Sequence, residues 1–148
     1  MKTAGSWFLG DMREGNPMPV WDAMAAGWSP QSVSMGIWDV NFVPGQTLTV
    51  PLHFFNDLDE DKMMQVGISI IDAQGQYVHK QVVEKSVAAF SHLIHDIQVT
   101  LPETVGNYTL KAELQNRPTQ VKYPVVSAWD IRVVRATVPA AMAQASIF

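Results

Sequence analysis

Apolar and polar residues alternate along most of the chain, most regularly between Val43 and Asn56. After a Pro-Gly turn, every second residue of this run is a large apolar one. A period of two is typical of a β-strand with one buried face. The predicted buried face comprises Leu48, Val50, Leu52 and Phe54, and the opposite face carries Thr47, Thr49, Pro51, His53 and Phe55.

The same alternation returns in further segments separated by turn residues, and residues 41–45 are predicted to turn the chain into the main run. Short strands with turn chemistry between them predict an all-β fold, an immunoglobulin-like antiparallel β-sandwich of about seven strands. Tyr108 opens the sixth strand, where such sandwiches often place a corner tyrosine. The 77–84 strand is more polar and is expected near an edge. The predicted strands are 33–38, 43–56, 64–71, 77–84, 91–101, 107–115 and 123–134.

The two ends of the chain lack this alternation. Residues 1–30 hold three of the five tryptophans and are expected to form an irregular aromatic N-terminal arm or linker that lies across another surface. Residues 31–135 are the predicted sandwich. Residues 136–148 are small and apolar without a period, which indicates a C-terminal tail.

The composition, with 47% apolar and 16% charged residues in 148, is that of a single globular domain. A net charge of −4, with ten scattered Lys and Arg, argues against a nucleic-acid partner. The absence of cysteine excludes disulfides and thiolate chemistry. No stretch resembles a membrane span, and Asp11, Arg13 and Glu14 interrupt the N-terminal apolar residues, so neither a membrane partner nor a signal peptide is expected. A bacterial cytoplasm and a periplasm both remain open.

Several short motifs occur in an order found in one known family. They are Ser29-Pro30, Val33-Ser34, Trp38-Asp39, Asn41-Phe42, Pro44-Gly45-Gln46 and Asn56-Asp57-x-Asp59, followed by the stretch 101–114 and by Val126-Ser127-x-Trp129-Asp130. Together they resemble the immunoglobulin-like domain that follows the catalytic barrel in bacterial glycoside hydrolases of family two. This is the β-galactosidase, β-glucuronidase and β-mannosidase group.

The resemblance implies a non-catalytic role for this chain. In that family the catalytic acid and nucleophile lie on the barrel, and 148 residues leave no room for one. The expected function is that of an ancillary module that braces or docks on a catalytic glycoside hydrolase domain, with self-association as a further possibility. No catalytic residue and no cofactor is expected.

The tryptophans are the main candidates for a binding surface. Aromatic rings dominate protein interfaces, and they also stack on sugar rings, so the set predicts either an interdomain contact or a carbohydrate platform. Docking is the favoured interpretation. The alternatives are an independent carbohydrate-binding module and a surface or periplasmic protein-interaction domain that works by strand addition. The candidates are Trp7, Trp21, Trp28 and Trp38, whereas Trp129 alternates with core residues and is expected in the core.

The remaining candidates for chemistry are weaker. Asp57, Asp59 and Asp61 alternate as in the first half of a calcium loop, but Lys62 and Ile68 stand where that loop needs glycine and glutamate, so we expect a solvated hairpin tip and no metal.

The spacing of the histidines does not require a metal site, and the spacing of the carboxylates does not require a catalytic pair. His92 and His95 are three residues apart and therefore point to opposite faces of a strand. His53 and His79 lie on other strands, and no spacing requires them to converge on a metal. No sequence pattern pairs the carboxylates of Glu84, Asp96, Glu103 and Glu113 as glycoside hydrolysis requires.

Overall fold

The computed structural model describes Val20, Met24 and residues 27–135. Most of the predicted arm and all of the predicted tail lie outside the described residues, and so do Trp7 and Trp21. The strands in chain order are β1 (Gln31–Met35), β2 (Asn41–Phe42), β3 (Thr47–Asn56), β4 (Lys62–Asp72), β5 (Tyr77–Val87), β6 (Ser91–Thr100), β7 (Gly106–Leu114) and β8 (Val126–Val133).

The strands form two sheets packed face to face. A three-stranded sheet has the order β1-β3-β6, and a five-stranded sheet has the order β2-β8-β7-β4-β5. Every pair is antiparallel except β2 with β8, which pair in parallel. The predicted immunoglobulin-like β-sandwich is therefore confirmed. No helix within the described residues has the length and apolar character needed to cross a lipid bilayer.

The sequence prediction differs from the structure in the segment that joins β1 to β3. The first strand ends at Met35 rather than at Trp38, because the chain then leaves the smaller sheet and crosses to the larger one. Asn41 and Phe42, predicted as part of a turn, pair with Arg132 and Val133 as strand β2. A two-residue strand has no visible period, so alternation cannot reveal it.

The core lies between the two sheets and follows the predicted alternation. The inward residues of β3 are at most 8% exposed, and Phe54 at its end is fully buried. Each such side chain stabilises the fold by about 1.5–3 kcal/mol through burial. Tyr108 is also buried, and its hydroxyl donates to the carbonyl of Thr104 at 2.8 Å, as a corner tyrosine does. The inward set of β3 is Leu48, Val50, Leu52 and Phe54.

The two long sides of the sandwich differ. On one side β1 lies against β7 and β8, and the Met35 N–H donates to Ser127 Oγ at 3.2 Å. On the other side β5 and β6 each form the outermost strand of their sheet. The predicted edge position of the 77–84 strand is confirmed, because β5 lies there.

Candidate interaction surface

Trp38 lies in residues 36–40, which we call the crossing segment because they lead from one sheet to the other. The neighbouring Ile37 is buried in the core, but 85% of Trp38 is exposed. An indole ring in this position leaves a large apolar surface in water. Such surface is most often found where a partner covers it.

Hydrogen bonds hold the backbone on both sides of Trp38. The Gly36 N–H donates to the Pro51 carbonyl at 2.8 Å, and Trp129 Nε1–H donates to the Asp39 carbonyl at 2.9 Å. The Val40 carbonyl accepts the Arg132 N–H at 2.6 Å. Trp38 is therefore presented by a fixed segment, so binding through it would cost little backbone entropy. Trp129, predicted in the core, is partly buried and packs against it.

Trp28 lies at the other end of β1 and is 72% exposed. Its backbone N–H donates to the Met24 carbonyl at 3.1 Å. Since five residues of β-strand span roughly 13 Å, Trp28 and Trp38 do not form one continuous platform. The structure places these two predicted residues at separate ends of the same strand.

A groove of about 310 Å³ opens beside Trp28. Tyr123 and Lys122, from the segment before β8, form part of its wall. Ser29 also lines it; this hydroxyl is buried and, among the described residues, has no hydrogen-bond partner. A buried hydroxyl without a partner is unfavourable.

The outer face of the three-stranded sheet carries an aromatic cluster that sequence reasoning missed. Phe55 on β3 and His92 on β6 are direct cross-strand partners with ring centroids 4.4 Å apart and planes within 2°. His53 Nδ1 lies 2.9 Å from His92 Nε2, so the two imidazoles share a hydrogen bond. The sequence predicted that His92 and His95 lie on opposite faces of their strand, and they do. It did not predict which residues of β3 lie beside which residues of β6.

This histidine pair does not have the ligand count of a zinc site. Structural zinc takes four protein ligands, and catalytic zinc usually takes three. Within residues 27–135 and the two described positions before them, no three His, Asp or Glu side chains gather closely enough to hold an ion. The pair is best described as part of an exposed aromatic face.

The acidic turn is held by hydrogen bonds that involve its own backbone and that of two neighbouring segments. Asp61 accepts the Ala89 N–H at 2.9 Å, and the Asp57 N–H donates to the Pro30 carbonyl at 2.8 Å. Asn56 makes hydrogen bonds to Glu60 and Leu58 within the same turn. These contacts describe a closed hairpin tip.

The acidic residues considered for catalysis lie on separate elements. Glu84 on β5 accepts a hydrogen bond from Gln65 at 2.8 Å, and Glu113 on β7 pairs with Lys111 at 2.8 Å. Both are on the outer face of the five-stranded sheet, Asp96 is on β6, and Glu103 is in the loop before β7. Glycoside hydrolysis needs two carboxyl groups on either side of a bound sugar, whereas these four lie on three different strands and a loop.

Comparison with known proteins gives similarity at the level of fold. No family model and no curated protein matches the sequence. The CARDB domain of the PF1109 protein from Pyrococcus furiosus, solved in complex with di-metal ions, is similar with a TM-score of 0.55 and 16% identity. The match covers 72% of this chain and 94% of that domain.

Two glycoside hydrolases contain a similar region. A family 123 glycoside hydrolase from Clostridium perfringens matches with a TM-score of 0.51 and 10% identity, over 75% of this chain and 28% of that one. A β-glucuronidase from glycoside hydrolase family 2 matches with a TM-score of 0.48 and 10% identity, over 72% of this chain and 11% of that one. The similarity to the CARDB domain and to the family 123 enzyme supports the β-sandwich fold.

Proposed function

We propose that this chain is a non-catalytic β-sandwich module that docks on the catalytic barrel of a family-two-like glycoside hydrolase. Trp38 is the anchor of the contact. Trp28 lies at the far end of the same strand and extends the surface.

The observation that carries the proposal is the exposure of Trp38 on a segment fixed by three backbone contacts. Interface energy concentrates in a few aromatic and arginine anchors, and tryptophan is the most enriched of them. An anchor that is already rigid loses little conformational freedom on binding. A surface of this kind is suited to permanent contact with another domain.

Two further points support the proposal. The motifs from Ser29 to Asp59 resemble those of the family-two sandwich. The similar region of the family 123 enzyme makes up 28% of that chain, so this fold occurs within a larger glycoside hydrolase.

The test uses the barrel encoded beside this chain in its genome, on the same polypeptide or in an adjacent gene. Calorimetry should show binding between the two, and Trp38→Ala should weaken it by at least about 2 kcal/mol, as for an interface hot spot. Tyr77→Ala is the matched control, because Tyr77 is an exposed aromatic on the far edge and its loss should leave the affinity unchanged.

Three results would contradict the proposal. They are a neighbouring sequence that encodes no barrel, a Trp38→Ala variant that binds as tightly as the wild type, and hydrolysis of nitrophenyl glycosides by the purified chain alone.

The groove beside Trp28 favours a second candidate, an independent carbohydrate-binding module. It combines an exposed indole with Tyr123 and Lys122, which is the mixture of aromatic and polar groups that sugar sites use.

Affinity electrophoresis in gels containing β-linked polysaccharides distinguishes this candidate. If it holds, migration is retarded, Trp28→Ala abolishes the retardation and Trp38→Ala does not. Equal migration with and without polysaccharide would exclude it.

A further inference from the structure

Strand β6 is the outermost strand of its sheet, and much of its outward backbone edge is free. In an antiparallel pair the N–H and C=O of one residue point to the same side, and the side alternates along the strand. The Leu101 N–H donates to the Gln46 carbonyl at 2.8 Å, on the β3 side, so the odd-numbered residues of β6 face β3. The even-numbered residues therefore direct their backbone groups away from the sheet.

A contact from β5 confirms that the backbone groups of an even-numbered residue, Gln98, point away from β3. Gln81 of β5 reaches across and donates its side-chain N–H to the carbonyl of Gln98 at 3.4 Å. The backbone groups of His92, Ile94 and Asp96 have no strand beside them among the described residues. They form an uncovered row of donors and acceptors.

This edge has less of the usual protection against strand pairing than β5, and its one formal charge is Asp96. Natural edge strands carry lysine, proline or an inward-pointing charge. Strand β5 has such protection in Lys80, Glu84 and the half-buried Lys85. Strand β6 has no lysine, arginine or proline in the range Ser91–Thr100, and its Ile94 is 55% exposed.

We propose that a second copy of this chain adds its β6 to this edge, antiparallel and centred on Ile94, so that the two three-stranded sheets become one six-stranded sheet. The inference does not rest on the proposed docking to a barrel. The occupant follows from the sequence of the strand, which is complementary to itself in this register.

In the proposed register the contacts among the three central outward residues are favourable. Ile94 packs on Ile94 of the second copy, and His92 lies opposite Asp96 of the second copy, twice by symmetry. All three residues are even-numbered, so their free N–H and C=O groups meet as hydrogen-bonded pairs. Centring on Asp96 would instead place two carboxylates face to face, which is destabilising. An interface related by a twofold axis requires this self-complementarity.

The new contact extends the aromatic face described above. His92 already holds His53 through Nε2, which leaves Nδ1 to approach Asp96 of the second copy. Phe55 stacks on the same imidazole and limits its rotation. The side chain that reaches the second copy is therefore oriented before the two copies meet.

The first test is sedimentation equilibrium of the full chain over a wide concentration range. The wild type should show a monomer–dimer equilibrium, and Ile94→Lys should raise its dissociation constant at least about tenfold, because two ammonium groups then meet at the twofold axis. Val82→Lys is the matched control: Val82 is also 55% exposed, but it lies on the edge of β5.

A wild type that remains monomeric throughout would overturn the proposal. So would a dimer that Ile94→Lys leaves intact, or one that Val82→Lys disrupts instead. Circular dichroism of each variant verifies that it folds.

The second test measures the register and does not depend on a destabilising substitution. The chain has no cysteine, so a single introduced thiol gives an unambiguous cross-link. In Ile94→Cys the two Cα atoms should lie about 5.5 Å apart, within disulfide range, and mild oxidation should yield a covalent dimer. In Gln98→Cys the same atoms should be roughly 27 Å apart and remain unlinked. Equal cross-linking of the two variants, or none in Ile94→Cys, would contradict the proposed register.

Discussion

The two long sides of the sandwich are closed in different ways. On the side of β1, β2 and β8, Ser127 accepts a backbone N–H from the opposite sheet, Trp129 holds the Asp39 carbonyl, and Arg132 holds Val40. On the side of β5 and β6, the described hydrogen bonds between strands of the two sheets are the 3.4 Å contact from Gln81 to Gln98 and, at one end, the 3.1 Å bond from the Asn56 amide to the Val87 carbonyl.

This difference separates two kinds of surface. The side of β1, β2 and β8, which we call the closed side, has a fixed backbone and an exposed side chain, Trp38. This combination suits recognition by shape and apolar area. The side of β5 and β6, which we call the open side, leaves backbone groups of β6 exposed. This suits pairing by main-chain hydrogen bonds. One small domain can therefore present two surfaces that do not compete.

The largest expected effect concerns Asn56, which joins the ends of β3 and β5 on the open side. It is fully buried; the two hydrogens of its side-chain NH₂ are shared among the carbonyls of Glu60, Val87 and Ala88, and its side-chain oxygen accepts the Leu58 N–H. Asn56→Ala leaves these groups without a partner and should lower the free energy of unfolding by about 2–4 kcal/mol.

Urea denaturation measures this loss. Asn116→Ala is the control, because Asn116 also bonds the backbone of β4 through its amide but is exposed, so water replaces the lost contacts. Equal losses in the two variants would show that Asn56 does not hold the open side.

An intermediate effect is expected on the closed side. Trp129→Phe removes the N–H that holds the Asp39 carbonyl, together with part of a packed ring, and should cost about 1–2 kcal/mol of unfolding free energy. Trp38→Phe changes an 85% exposed ring and should cost less than about 0.5 kcal/mol. Thermal unfolding of both variants gives the comparison. A larger loss for Trp38→Phe would mean that Trp38 contributes to the fold and is not reserved for a partner.

The fold was predictable from sequence wherever one face of a strand is buried. Phe54 and Tyr108 are examples, since alternation determines the face on which each lies. The pairing of His53 with His92 was not predictable, because it depends on the register between strands separated by two others. Trp38 was identified as a candidate for its residue type, but its rigid exposure follows from hydrogen bonds to β3 and β8 that no local pattern contains.

The smallest effects compare one hydrogen bond on each side. Ser127→Ala removes the acceptor of the half-buried Met35 N–H and should cost about 1 kcal/mol. Gln81→Ala removes a long, exposed contact and should cost less than about 0.5 kcal/mol. Chemical denaturation of both variants measures the two losses. The reverse order would contradict the distinction between a closed and an open side.

The most direct test of the proposed function is amide hydrogen exchange on the full chain with and without the neighbouring barrel, at a concentration where the chain is monomeric. The barrel should protect the amides of the crossing segment around Trp38 and leave those of His92, Ile94 and Asp96 on β6 unchanged. Protection that appeared on β6 instead, or nowhere, would contradict the proposed function.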